Sequence, residues 1–90
     1  MKFRKLPRTD LVLSEVGFGV WTVATNWWGK IEDADKAALL ENAVEEGINF
    51  FDTADTYGDG FGEEVLAKVL GHKRNDLIIA TKFGYDIYDP

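Results

Sequence analysis

Three apolar runs begin near residues 17, 48 and 77 of this 90-residue chain, 31 and 29 residues apart. A strand, a crossover helix and the return to the next parallel strand take roughly 30 residues, so this interval is that of a βαβ unit used twice. The runs Val16-Gly17-Phe18-Gly19-Val20, Ile48-Asn49-Phe50-Phe51 and Leu77-Ile78-Ile79-Ala80 are near-continuous in apolar character rather than alternating. Parallel strands covered on both faces read this way. Glycines 17 and 19 inside the first run mark places where something approaches the backbone closely.

The intervening segments carry helical signals. Asp33 is a plausible N-cap, Ala37, Leu40, Ala43 and Val44 recur at helical spacing, and Gly47 suits the position just past the end. A second helix is expected from about Gly62 to Leu70, with Glu63 and Glu64 in its favourable first turn and Gly71 closing it. Its apolar stripe is Val65, Leu66, Val69 and Leu70. Residues 2–13, around the turn Pro7-Arg8-Thr9-Asp10, read as a short β-hairpin, and residues 21–32, with Trp21, Trp27 and Trp28, as a polar loop. The expected organisation is one domain over residues 1–90: a hairpin at about 2–13, then βαβαβ at about 16–82. Three parallel strands leave two edges and most of one face bare. A (β/α)8 barrel needs about 250 residues, so the chain supplies about three of eight units. It reads as a fragment, or as a piece of an assembly in which the rest of a barrel or self-association covers the sheet edges.

Composition removes several functions. A net charge of −6 argues against nucleic acid or an anionic membrane as partner. There is no cysteine, hence no disulfide framework and no thiolate chemistry, as suits a reducing cytoplasm. No apolar stretch follows the basic N-terminus as in a signal peptide, and none approaches the roughly 20 residues of a membrane span.

Function in parallel α/β folds gathers at the C-terminal ends of strands. Here the second run ends in Asp52, the third in Lys82, and Tyr57 lies in the Asp-, Thr- and Gly-rich loop after Asp52. On neighbouring strands about 4.8 Å apart, Asp52 and Lys82 can form an ion pair, with Tyr57 folding back over both. Tyrosine titrates near 10, too high for useful acid–base work at neutral pH. A close ammonium favours the phenolate, and a shift of two to three units takes roughly 3–4 kcal/mol. Asp52 would keep Lys82 charged and oriented, leaving Tyr57 as a general acid for a carbonyl oxygen. The same residues also read as a plain rim salt bridge beside a packed tyrosine.

Gly17-Phe18-Gly19-Val20-Trp21, Gly47-Ile48-Asn49-Phe50-Phe51-Asp52-Thr53-Ala54-Asp55-Thr56-Tyr57-Gly58 and Ile79-Ala80-Thr81-Lys82-Phe83-Gly84 resemble, in order and spacing, the N-terminal signature blocks of the aldo-keto reductase family. The resemblance implies a TIM barrel whose base is plugged by an N-terminal hairpin, the chain being that hairpin and the first three β/α units. It implies NADP(H)-dependent reduction of an aldehyde or ketone, a small carbonyl substrate. Asp52, Tyr57 and Lys82 match three members of the family's Asp–Tyr–Lys–His tetrad, with Tyr57 as proton donor. Gly19, Val20, Trp21 and Asp52 match early cofactor contacts. The tetrad histidine belongs after the next strand, beyond Pro90, so the chain alone is expected to be inactive. Its own His72 follows a helix end and is expected on the surface. The resemblance also allows a non-catalytic or redox-sensing subunit of the same fold.

Weaker patterns fall away. Gly17-x-Gly19 begins a dinucleotide fingerprint, but Thr22 stands where its third glycine belongs. Asp55, Asp59 and Gly60 imitate part of a calcium loop, yet Tyr57 and Leu66 occupy positions that need oxygen ligands, and no metal is expected. Trp21, Trp27, Trp28, Phe83, Tyr85 and Tyr88 follow the first and third strands and could line the mouth of a site for an apolar carbonyl compound.

Overall fold

A computed structural model describes residues 1–25 and 29–84. Strands β1 (Phe3–Lys5) and β2 (Val12–Ser14) form the antiparallel hairpin. The parallel sheet is β3 (Phe18–Gly19), β4 (Phe50–Asp52) and β5 (Ile78–Ala80), in that spatial order. Between them run the one-turn helix α1 (Trp21–Ala24), α2 (Asp33–Glu45) and α3 (Phe61–Leu70), the last followed by a 3-10 segment, Gly71–Asp76.

Successive strand residues point to opposite faces. In register, Phe18, Phe51 and Ile79 form one row on the face that α2 and α3 cover. The Phe18 and Phe51 rings lie 5.7 Å apart, and Phe51 is wholly buried with Val20, Val23, Leu40 and Leu70. Phe50, Asp52, Ile78 and Ala80 face the other way and stay half-buried. The expectation of cover on both faces therefore holds for one face among the described residues. The continuous apolar runs exceed what this stretch of chain itself buries.

Several local readings need correction. Residues 21–24 are not loop: Val20, Val23 and Ala24 recur at helical spacing, and the turn seals all three into the core. Asp33 does not cap α2. It is the first helical residue after Glu32 and makes no capping bond, and with Asp35 it places negative charge in the first turn. Gly71 closes α3 as expected, though at φ −58° rather than in a left-handed turn, and the chain runs on into the 3-10 segment. Gly47, by contrast, adopts φ +94° just past α2, as a residue there should. Gly17 does make a close approach, because a β-carbon on it would press within 2.8 Å of the Phe50 ring, whereas Gly19 faces open space. No helix among the described residues is long and apolar enough to cross a membrane.

Asn49 ties the hairpin to the base of the sheet. Its Oδ1 accepts the Ser14 N–H at 2.7 Å, its Nδ2 donates to the Val12 carbonyl at 2.8 Å, and its N–H donates to Ser14 Oγ at 3.1 Å. Its own carbonyl accepts the Ile78 N–H at 2.7 Å. One amide side chain thus links β2 to β4 beside the start of β5. Asn49→Ala leaves the Ser14 N–H and the Val12 carbonyl without these partners, a loss of about 1–3 kcal/mol. Urea unfolding should show a lower midpoint, and hydrogen exchange should show faster loss of the Ser14 amide proton. Unchanged exchange at Ser14 would mean that the hairpin is held by something else.

Candidate active site

The C-terminal ends of all three parallel strands converge. Gly19 pairs with Asp52, and Asp52 with Ala80. Beyond the strands the ladder continues: Val20 N–H donates to the Asp52 carbonyl, Thr53 N–H to Ala80 and Asp55 N–H to Lys82. This backbone pairing carries Lys82, two residues past the end of β5, to the same level as Asp52.

The side chains then meet. Lys82 Nζ donates to Asp52 Oδ1 at 2.9 Å and to the Thr53 carbonyl at 2.8 Å. It also lies 5.0 Å from the centroid of the Tyr57 ring. Asp52, Tyr57 and Lys82, expected together from the sequence, form one cluster. The hydrogen bond that Lys82 donates to Asp52 raises the Lys82 pKa above its ordinary value of 10.5; partial desolvation opposes this, and the Tyr57 phenol and the Asp52 charge add to the rise. Lys82 therefore stays an ammonium throughout the neutral range.

Tyr57 is placed by packing. Gly58, at φ +63°, lies against α1, and a β-carbon there would overlap the Ala24 carbonyl oxygen. The loop consequently turns tightly, and α3 starts immediately after it. Ala54, Asp55, Thr56, Tyr57, Lys82 and Phe83 line an open cleft of about 480 Å³, with Phe83 almost fully exposed at its edge. Of the aromatic residues expected at a substrate mouth that are among the described residues, Trp21 and Phe83, only Phe83 lines this cleft. Trp21 is half-buried in α1, and Trp27, Trp28, Tyr85 and Tyr88 lie outside the described residues.

The expected cofactor residues differ in what they offer. Asp52 presents a half-exposed carboxylate, and Gly19 beside it leaves open space where a side chain would stand. Val20 is fully buried, so only its backbone could meet a ligand. This rim fits the neutral, hydrogen-bonding end of a dinucleotide: a bare backbone edge next to an acceptor for a hydroxyl or amide. His72 sits exposed in the 3-10 segment, as expected. Among the described residues no group of acidic, cysteine or histidine side chains could hold a metal ion.

Sequence reasoning missed two contributors. The Thr53 carbonyl is the second acceptor for Lys82, and the Thr81 hydroxyl donates to Glu63 Oε2 at 2.7 Å, joining the residue before Lys82 to α3. The signal for the second was a Thr beside the Lys and a Glu at a helix start, which one chain alone does not pair.

The aldo/keto reductase family model matches residues 15–89. An uncharacterized oxidoreductase of Bacillus subtilis is 40% identical over 84 residues, which are 93% of this chain and 26% of that protein. A protein of Oryza sativa subsp. japonica named "Probable voltage-gated potassium channel subunit beta" is 32% identical over 85 residues, 91% of this chain and 25% of that one. Among solved structures, the holo form of an aldo-keto reductase from Bacillus halodurans superposes with a TM-score of 0.81 at 37% identity, covering 93% of this chain and 26% of that one. The chain spans about a quarter of the length of the curated relatives it matches.

The Asp52–Lys82 pair is half-exposed, with 48% and 51% of the respective side chains accessible. Such pairs contribute about 0–1 kcal/mol, so Asp52→Asn should change stability by no more than that near neutrality. Because the folded-state pKa of Lys82 is raised, the pair's contribution is complete below 10.5 and disappears as pH climbs through the raised value. Denaturant titrations across the alkaline range should show this decline in the wild type and a smaller one in Asp52→Asn. An equal decline in both would place the alkaline sensitivity elsewhere.

Proposed function

The chain belongs to the aldo/keto reductase family, and on that premise we propose that the protein carrying it is an NADP(H)-dependent reductase of aldehydes or ketones. In this reading the chain supplies the hairpin and first three β/α units of a (β/α)8 barrel. Tyr57 is the proton donor, Lys82 the cation beside it and Asp52 the carboxylate that holds Lys82. The observation that carries the reading is the ammonium of Lys82 bonded to Asp52 while lying over Tyr57, at the strand ends where such folds place chemistry.

A bound reduced nicotinamide would supply the hydride for the carbonyl carbon. The work of this chain is the proton. The Tyr57 phenol donates its hydrogen to the carbonyl oxygen as negative charge develops there, forming the alcohol O–H and leaving a phenolate. The Lys82 ammonium stabilises that phenolate, and solvent returns the proton to it through the open cleft. Asp52 keeps Lys82 charged and pointed inward rather than into water. Gly19, Val20 (through its backbone), Trp21 and Asp52 border the space where the nicotinamide end would sit.

A second reading, a non-catalytic or redox-sensing binding subunit, draws on the similarity to the rice protein named for a potassium channel. Multiple turnover separates the two. With a panel of aldehydes, the full-length protein should oxidise many equivalents of NADPH; oxidation limited to one equivalent favours the sensing subunit. Tyr57→Phe should lower kcat by about 10²–10⁴-fold with NADPH affinity unchanged. Undiminished turnover in that variant would remove Tyr57 from the chemistry.

A further inference from the structure

We propose that Gly62 and Glu63, consecutive residues in the first turn of α3, act as a bracket that fixes the separation of Tyr57 and Lys82. The inference rests on the reading of those two residues as the proton-donating pair. Tyr57 and Lys82 come from loops after different strands, joined at their near ends by the bond from the Asp55 N–H to the Lys82 carbonyl. The start of α3 touches both loops.

On the tyrosine side, the Gly62 N–H donates to the Tyr57 carbonyl at 2.9 Å. A β-carbon on Gly62 would stand 2.6 Å from Thr53 Oγ1, closer than real side chains approach, and 3.0 Å from Tyr57 Cβ, tighter than most such contacts. The helix start therefore lies flush on Tyr57, and a larger residue at 62 would have to push that loop away. It lies equally on Thr53, which is fully buried and whose carbonyl accepts Lys82 Nζ. On the lysine side, Glu63 Oε2 accepts the Thr81 hydroxyl at 2.7 Å. Thr81 immediately precedes Lys82.

The Glu63–Thr81 bond is exposed, so it adds little to global stability. Its consequence is geometric. The Lys82 side chain is half-exposed on a flexible stem, and where its ammonium rests depends on where the backbone at 81–82 is held. A helical turn is rigid on the scale that matters, and misplacement of a reacting group by about 1 Å costs on the order of 100-fold in rate. Gly62 and Glu63 are thus positioning residues, acting through Tyr57 and Lys82.

The test is a set of variants of the full-length protein. Glu63→Ala removes the acceptor and Thr81→Val removes the donor with its shape kept. Glu63→Gln removes the charge but keeps an acceptor oxygen. Glu63→Ala and Thr81→Val should each lower kcat about 10-fold with KM and cofactor affinity within about twofold, and the double variant should be no worse than either single. The alkaline limb of the kcat profile should move upward in both, because the ammonium backs away from the phenol, and Glu63→Gln should restore it. Gly62→Ala should lower kcat by at least as much. A merely structural role would lower Tm and leave the limb where it was, which would overturn the bracket.

A second readout works without turnover. With lysine carrying ¹³C at Cε, the Lys82 resonance can be titrated in the same proteins. Thr81→Val and Glu63→Ala should bring its pKa back toward 10.5, and Glu63→Gln should not. That result in a protein without carbonyl reduction would sink the reductase reading and leave the bracket standing. A Lys82 titration indifferent to Thr81→Val would sink the bracket whatever the activity.

Discussion

The parallel register of three short strands is the constraint on which the rest depends. With β4 in the centre, Gly19, Asp52 and Ala80 stand in one row, and the next residues of each strand are drawn to a common rim. A register slip of one residue would send Asp52 to the helix-covered face, since side chains alternate with a period of two. An uncompensated carboxylate in that apolar layer would cost several kcal/mol. The buried Phe51 on one face and the half-exposed Asp52 on the other are therefore one specification: the phenylalanine selects the register that delivers the aspartate to the rim.

The contacts that hold the hairpin to the sheet and the proposed catalytic groups lie at opposite ends of this sheet. At the base, Asn49 ties hairpin to strand with three hydrogen bonds, and the helices cover the apolar row above it. At the rim, the contacts of Asp52, Lys82, Thr81 and Glu63 are exposed and individually weak. Such contacts can be spent on aiming groups, because the fold does not rest on them. Lys82 is held from three directions at once by Asp52, the Thr53 carbonyl and the Tyr57 ring.

Much of this was legible in the residues. The 31- and 29-residue intervals announced parallel strands, and the placement of Asp52 and Lys82 at the ends of apolar runs announced their meeting. The parts that escaped share a physical cause: they are tertiary. A single helical turn such as Trp21–Ala24 is too short to propagate on its own propensity and exists because Val23 and Ala24 find the core. Asn49 read as one polar interruption in an apolar run, since its partners Ser14 and Val12 are far away in sequence. Glu63 read as a favourable first-turn residue, which it is, and nothing in one chain alone paired it with Thr81.

In the proposed reductase, the rim formed by Asp52, Tyr57 and Lys82 delivers a proton to a carbonyl oxygen. The most direct measurement is a crystal structure of the full-length protein with oxidised cofactor and an unreactive carbonyl compound bound. The carbonyl oxygen should lie within hydrogen-bond distance of the Tyr57 hydroxyl, with Lys82 Nζ still bonded to Asp52 and close to the phenol oxygen. A carbonyl oxygen bonded to some other donor, with Tyr57 turned away or Lys82 released into solvent, would contradict it.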